Sequence, residues 1–393
     1  MNALKKTLWG GIWLSFLTGI AAAITVTKAS PALLEIQKEL SLSVIQVGWV
    51  MSSAALATVL LGTFVGSLSH KYGPKKVLQI ALGLIVVSAS FSLFINSANE
   101  LIFSRIVEGV AVILVSVAGP TLISHLSKPS DMGLTMGVWA LWMPVGSVLI
   151  FLMSPLILEQ FGWRWLWSAS AFIALPLLML YIRLVDPTRA VVNTINKKLS
   201  RPVVYRAILM GLIFTCFTGS FFSMVTYLPS YLMGTYQVSS STALIITTLL
   251  PACIIPGNLL SGFLIHRGVP WFRMMSYPAA ALGTIITLLL HANYSAELGL
   301  ILLALMGLFL GMIPTAIFAQ SPRLADNPID TGRVIGIVIT GQGPGILLGP
   351  PLAGFLIGEQ HNWQNLYPLY LLLTISIIVL AQGLKTLQPK PSR

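Results

Sequence analysis

Charge is scarce in this chain of 393 residues: 9% are Asp, Glu, Lys or Arg. Soluble domains average roughly 25% charged residues and could not cover a water-facing surface with so few. Acidic residues are scarcest, with 11 Asp and Glu against 23 Lys and Arg. The chain has only two cysteines, Cys216 and Cys253, both inside apolar runs, which excludes a disulfide framework or a thiolate metal site. No G-x-x-x-x-G-K-[ST] loop occurs, so nothing in the sequence holds a nucleotide phosphate, and no cofactor is expected. The five histidines, His70, His125, His266, His291 and His361, are dispersed at the ends of apolar runs, so no metal or catalytic constellation is expected. A soluble enzyme, a disordered chain and a secreted disulfide scaffold are all excluded.

What is abundant is apolar surface, at 56% of residues. A membrane span needs about 20 consecutive, mostly apolar residues. Twelve stretches satisfy this, at 8–28, 45–68, 77–96, 101–124, 133–157, 165–183, 207–232, 242–265, 271–291, 297–319, 334–357 and 364–384. Each is expected to be helical, because irregular backbone facing lipid leaves its polar groups unpaired. The expected fold class is an all-α integral membrane protein. The first run follows Lys5-Lys6 as a signal peptide would, but it is longer than the usual signal core of about 7–15 residues.

The basic residues orient the chain. With the amino terminus placed inside the cell, all of the 23 Lys and Arg residues fall on inside segments except Lys28, Lys38, Arg105 and Arg164. This asymmetry predicts a plasma (inner) membrane protein with both termini cytoplasmic. It also accounts for the net charge of +12 without nucleic acid.

The two halves of the chain repeat one another. Glu159-Gln160 and Trp163 recur as Glu359-Gln360 and Trp363, and Pro144 recurs as Pro344. Asp131-x-Gly133 recurs as Asp330-x-Gly332, and Gly66-x-Leu68-x-His70-Lys71 as Gly262-x-Leu264-x-His266-Arg267. Single pairs of this kind arise by chance, whereas collinear matches along most of the chain do not. The expected organisation is a six-helix bundle over 1–183, a basic inside linker over 184–206 and a second six-helix bundle over 207–393. Two matched bundles joined by a linker suit alternating access around a central site.

Several motifs carry a family resemblance. The stretch GSLSHKYGPKK, Gly66 to Lys76, resembles the loop G-x-L-[AS]-D-[RK]-x-G-[RK]-[RK] of the major facilitator superfamily. Gly66, Leu68, Ser69, Lys71, Gly73, Lys75 and Lys76 fit within one inserted residue, Pro74. Arg105-Ile-Val-Glu-Gly109 resembles the family's R-x-x-x-G in its fourth span. Gly137, Pro144 and Gly146 partly match its Gly/Pro-rich antiporter motif, with Met143 where a glycine is usual. Gly341, Gly343, Pro344, Gly345 and Gly349 echo that pattern in the eleventh span. Gly162-Trp163-Arg164-Trp165 resembles an outer loop of the family. The resemblance implies a twelve-span secondary transporter, with spans 1, 4, 7 and 10 around a cavity.

His70 departs from that pattern, since the family usually has an aspartate there that faces a helix N-terminus of the opposite half. A neutral imidazole loses that charge–dipole attraction. Either a pH-sensing gate or a hydrogen-bonding substitute at the inner surface is expected.

The candidates for chemistry follow. Arg105 and Glu108 share one helical face inside a span, as a proton relay, a substrate-charge site or a buried brace. Thr25, Lys28, Ser116, Phe217, Phe221, Tyr227, Asn258 and Gln342 are cavity candidates. Lys28 is open to two readings, an anion attractor or a snorkelling side chain at a helix end. Pro144, Gly146, Pro344 and Gly349 are packing or hinge candidates with Gly137. The acid that drug exporters of the family often carry in span 1 is missing before Ala29-Ser30-Pro31.

These residues predict a non-enzymatic secondary transporter of a small organic solute, with proton-coupled export as the first expectation. Uptake of a small organic anion through Arg105 and Lys28 is the alternative. A membrane sensor or scaffold on the same fold is a third, disfavoured by termini too short for an output module. Its partners are expected to be a small solute, protons and the lipid bilayer. A cavity within one chain requires no oligomer.

Overall fold

The computed structural model describes residues 6–42, 44–184, 199–291, 295–358 and 362–387. Among them there are helices and no strands. The sixteen α-helices are α1 (Trp9–Thr27), α2 (Ala29–Glu39), α3 (Val44–Tyr72), α4 (Pro74–Phe91), α5 (Ala98–Leu126), α6 (Met132–Ala140), α7 (Trp142–Phe161) and α8 (Trp163–Leu184). They continue as α9 (Arg201–Tyr236), α10 (Ser240–Thr247), α11 (Leu249–His266), α12 (Arg273–His291), α13 (Ala296–Gln320), α14 (Thr331–Thr340), α15 (Gln342–Ile357) and α16 (Tyr367–Thr386). Taken with their connecting turns they form 12 segments long and apolar enough to cross a membrane, matching the expected twelve. Large apolar side chains such as Phe64, Phe172 and Phe355 are exposed, as lipid-facing residues must be. Most of the expected linker, residues 185–198, lies outside the described residues, as do Glu359, Gln360 and His361.

Sequence explains where the helices start and stop. Ser97 and Glu100 form a reciprocal capping box at the start of α5, satisfying backbone N–H groups that the helix cannot. Gly73 adopts a positive φ of 82° between α3 and α4, which a residue with a Cβ rarely tolerates. The matched prolines break spans 5 and 11. A proline has no N–H for the carbonyl four residues back. Pro144 therefore frees Ala140 O, and Pro344 frees Thr340 O. The helices divide at Leu141 into α6 and α7, and at Gly341 into α14 and α15.

These breaks change how the chain packs. The compact units are not the two sequence halves. Unit 1 comprises Met1–Pro129, Leu141–Lys198 and Asn327–Thr340; unit 2 comprises Ser130–Ala140, Leu199–Asp326 and Gly341–Arg393. In unit 1, α14 lies on α3 and α5, while α1 packs against α5, α7 and α8. In unit 2, α6 lies on α11 and α13, and α15 packs against α9. Each unit thus includes one short half-helix from the opposite half of the sequence. Glycine permits both close approaches: a Cβ on Gly66 would come 2.7 Å from Gly332 O, and one on Gly262 2.9 Å from Gly133 O.

Candidate functional site

A three-residue ionic cluster is buried inside unit 1. Arg105 and Glu108 lie three residues apart on α5, with Arg105 Nη1 2.6 Å from Glu108 Oε2. Lys28, at the break between α1 and α2, places Nζ 2.7 Å from Glu108 Oε1. All three side chains are at most 2% exposed. Lys28 is therefore not a snorkelling cation; it is sealed in the interior with its charge on Glu108.

The surroundings show why two cations share one anion. The helix α1 ends at Thr27, and Arg105 donates to carbonyls of that last turn. Nη1 donates to Thr25 O at 2.8 Å and Nη2 to Val26 O at 3.2 Å. Nε donates to Val50 O on α3 at 3.1 Å. A helix C-terminus carries a partial negative charge, so the guanidinium is favoured there. Lys28 Nζ donates to Trp167 O at 2.8 Å and Ser170 Oγ at 3.2 Å on α8. The Trp167 ring faces both cations, 4.9 Å from Lys28 Nζ and 5.5 Å from Arg105 Cζ. Ring and carbonyls together offset the surplus positive charge. The cluster thus sets two cations against one carboxylate inside a span.

The other expected site residues divide clearly. Thr25 and Ser116 are buried and donate to carbonyls of their own helices, Ala21 O and Val112 O. Thr25 also joins the cluster through its carbonyl. Asn258 is fully buried and paired at both polar atoms: Nδ2 donates to Ala140 O at 3.1 Å, and Oδ1 accepts from Thr315 at 3.0 Å. It is a tie in unit 2, holding the carbonyl that Pro144 frees, rather than a group offered to a solute. Gln342 supplies a backbone carbonyl to Thr218 at 3.0 Å, and Thr215 reaches Gly341 O at 2.6 Å, fixing the start of α15 on α9. Phe217 and Phe221 stack with ring centroids 6.4 Å apart. A small apolar cavity of about 40 Å³ in unit 2 is lined by residues such as Leu228, Tyr231, Tyr236 and Leu303, and none of the polar candidates lines it. Tyr227 lines a smaller neighbouring cavity.

The Gly/Pro motif is accounted for by packing. Gly137 lies against Gly262, Gly146 against Ala23, and Gly349 against Gly219. The stretch Gly66 to Lys76, expected as a loop, is helical on both sides of Gly73: Gly66 and Lys71 lie on α3 and Lys75 and Lys76 on α4, with Gly66 buried, Lys71 and Lys76 exposed and Lys75 half-buried. His70 Nδ1 lies 2.9 Å from Ile329 O in unit 1, and His266 Nδ1 3.0 Å from Ser130 O in unit 2. His125 Nε2 lies 3.3 Å from Pro328 O. Away from the spans, Glu39 joins Arg164 and accepts from Trp163 Nε1 at 2.7 Å, giving the outer Gly-Trp-Arg-Trp loop a partner on α2. Burial pushes the Glu39 carboxyl up, but the hydrogen bonds from Arg164 and Trp163 outweigh it and hold the group below its usual range.

Comparison with known proteins now places the chain in a family. The Major Facilitator Superfamily profile matches residues 14–328, and the chain belongs to that family of membrane transporters. Its 12 helices long and apolar enough to cross a membrane are those of a multi-pass membrane protein. Among curated relatives, a D-xylose transporter of Levilactobacillus brevis is 29% identical over 174 residues, which are 44% of this chain and 36% of that protein. The arabinose-proton symporter of Escherichia coli K12 is 31% identical over 137 residues, 35% of this chain and 28% of that one. The chain thus spans about a third of the length of the sugar-transporter relatives it matches. A putative niacin/nicotinamide transporter of Bacillus subtilis, NiaP, is 23% identical over 366 residues and matches 87% of this chain and 88% of its own. In structure, the proton:xylose symporter XylE superposes with a TM-score of 0.81 at 15% identity, over 97% of this chain and 96% of that one.

Proposed function

We propose that this chain is a proton-coupled symporter that brings a small polar organic solute into the cell, and that Glu108 carries the coupling proton. One observation supports the reading above the rest: Glu108 is a fully buried membrane carboxylate held by Lys28 and Arg105. Ionised, it cancels one of two cations. Protonated, it leaves Lys28 and Arg105 facing each other without an anion, which favours a rearrangement of α1 against α5. A proton taken up at Glu108 therefore changes the stability of one conformer, which is what coupling requires. The sequence halves 1–183 and 207–393 are the expected moving parts, rocking about a central site. The basic ends of the spans face the cytoplasm, with both termini there.

Export by proton antiport was the first expectation from sequence, and it rested on the partial Gly/Pro motif together with the Arg105/Glu108 pair, which by itself does not set a direction. With those glycines packed against neighbouring backbone, the motif no longer favours that direction. The relatives named for xylose and arabinose make pentoses the first solutes to test, followed by nicotinate-sized acids and amides. Purified protein in proteoliposomes, with an inward proton gradient, should accumulate the solute and acidify the lumen as it enters. Glu108→Gln should abolish accumulation while keeping solute exchange at zero gradient. Gradient-driven accumulation that survives Glu108→Gln would overturn the coupling assignment, and lumenal alkalinisation on solute entry would overturn symport.

A further inference from the structure

We infer that the solute of this transporter carries a flat aromatic or heteroaromatic ring with an amide group, and that unit 2 recognises it through the parallel rings of Phe217 and Phe221 and the side-chain amide of Gln342. The inference rests on the reading of the chain as a solute transporter and names the class of solute within it.

A run of rings passes along α9. Phe214 meets Phe318 of α13 edge-on, with centroids 5.6 Å apart, and packs on Phe217 at 6.0 Å. Phe217 and Phe221 then lie nearly parallel, 8° apart in plane with centroids at 6.4 Å, and Phe222 meets Phe221 edge-on at 5.1 Å. Phe214 and Phe217 are buried, whereas Phe221 keeps part of its surface exposed. At about 3.6 residues per turn, Phe221 falls on the opposite side of α9 from Tyr205, Ile208 and Leu212, the large exposed side chains of that helix. The run therefore ends in a ring that belongs neither to the closed core nor to the exposed apolar face. Aligned rings of this kind can be extended by a third flat ring at offset-stacking distance.

The hydroxyls beside these rings have already given their hydrogens away. Thr215 donates to Gly341 O, Thr218 to Gln342 O, Ser220 to Cys216 O and Ser223 to Gly219 O. A solute covered in hydroxyls would lose its hydration here without donors in return, whereas a flat ring has little hydration to lose. Gln342 is the polar group left over. The bond from Thr218 to its carbonyl fixes it beside the turn of α9 that carries Phe217 and Phe221. Its side chain is half-buried, and its amide has no hydrogen-bond partner among the described residues. A glutamine amide offers a donor and an acceptor on one edge. A carboxamide on the ring matches that edge at both positions. A carboxylate, which only accepts, uses half of it.

The test measures binding of radiolabelled benzamide to full-length protein in lipid nanodiscs, with unlabelled competitors. Cyclohexanecarboxamide carries the same amide on a puckered ring and should compete about 10-fold more weakly than benzamide. Benzoate should compete more weakly than benzamide, and D-xylose should not compete. Phe221→Leu keeps apolar volume but removes the plane, so it should bring benzamide down to the level of cyclohexanecarboxamide, while Phe221→Tyr should retain the preference. Gln342→Leu should weaken benzamide about 10-fold and erase its advantage over benzoate. These are ratios within one variant, so a smaller folded fraction does not imitate them. Absence of benzamide binding, a puckered ring that competes as well as the flat one, or a preference that survives Phe221→Leu would overturn the inference. Where Phe221→Leu fails to fold, the wild-type ratio and Gln342→Leu decide. The assay uses no proton gradient, so its failure is separate from that of the coupling assignment at Glu108; displacement of benzamide by D-xylose would overturn the solute class and leave that assignment standing.

Discussion

The ionic cluster makes an unequal demand on its members, and the inequality is measurable. With Lys28 and Arg105 protonated and Glu108 ionised, the cluster carries one surplus positive charge. Glu108→Gln raises the surplus to two, with both cations buried and only carbonyls and the Trp167 ring facing them. Removing one partner of a buried ion pair costs about 3–5 kcal/mol. Lys28→Met acts in the other direction. It takes the surplus to zero, keeps an apolar stem of similar volume, and leaves Glu108 on Arg105 at 2.6 Å. Its cost is the freed Trp167 O and Glu108 Oε1, about 1–3 kcal/mol. The order of stability is therefore wild type, Lys28→Met, then Glu108→Gln.

The double variant sharpens the test. Lys28→Met with Glu108→Gln restores a single surplus charge, with Arg105 still bonded to Thr25 O, Val26 O and Val50 O. It should be more stable than Glu108→Gln alone by about 2 kcal/mol, so the two substitutions are not additive. Reversible SDS unfolding in mixed micelles, followed by tryptophan fluorescence, gives the four free energies. If Lys28→Met proves as damaging as Glu108→Gln, or the double variant equals the sum of the singles, the charge accounting is refuted.

Two further outcomes follow from other parts of the structure. Asn258→Leu leaves Ala140 O unpaired inside unit 2 and should destabilise the protein by about 1–3 kcal/mol in the same unfolding assay; Asn258→Asp, which cannot donate to Ala140 O when ionised, should not rescue it. Glu39 is ionised more readily in the folded protein than its ordinary value of 4.5 implies, so its contribution is fully present above that value and is lost as pH falls through the lowered one. Tryptophan emission from the loop at Trp163 should accordingly shift in acid in the wild type and be flat with pH in Glu39→Gln.

The sequence made the fold legible because lipid permits so little choice. Twelve apolar runs must be helices, and the Lys/Arg asymmetry must mark one side. Pro144 and Pro344 even mark where spans 5 and 11 divide, since the missing N–H always falls on the carbonyl four residues back. The pairing of Arg105 with Glu108 was readable from helical spacing. Three things were not. Lys28 sits 80 residues from Glu108, and nothing local distinguishes a snorkelling lysine from a buried one; the absent span 1 acid, beside an Arg and a Glu in span 4, was the available hint. Asn258 was identifiable as a polar group needing partners, but its partner is a backbone carbonyl created by a proline over 100 residues away. The assignment of α6 and α14 to the opposite packing units is a tertiary outcome, set by Gly66 and Gly262 accepting neighbouring backbone.

Unit 1 holds both the embedded charge and the His70 and His125 contacts, and two helices run between them. On α3, Val50 accepts from Arg105, and His70 lies 20 residues further on. On α5, Arg105 and His125 are again 20 residues apart. At 1.5 Å per residue each interval is about 30 Å, close to the thickness of a bilayer's hydrocarbon core. The two helices are fastened near the cluster, where a Cβ on Gly109 would come 2.5 Å from Ala54 O. They meet again at one turn, through Ile329 O and Pro328 O. Halves that rock as rigid bodies must therefore break contacts inside unit 1, parting α14 from α3, as well as parting α6 from α11 in unit 2.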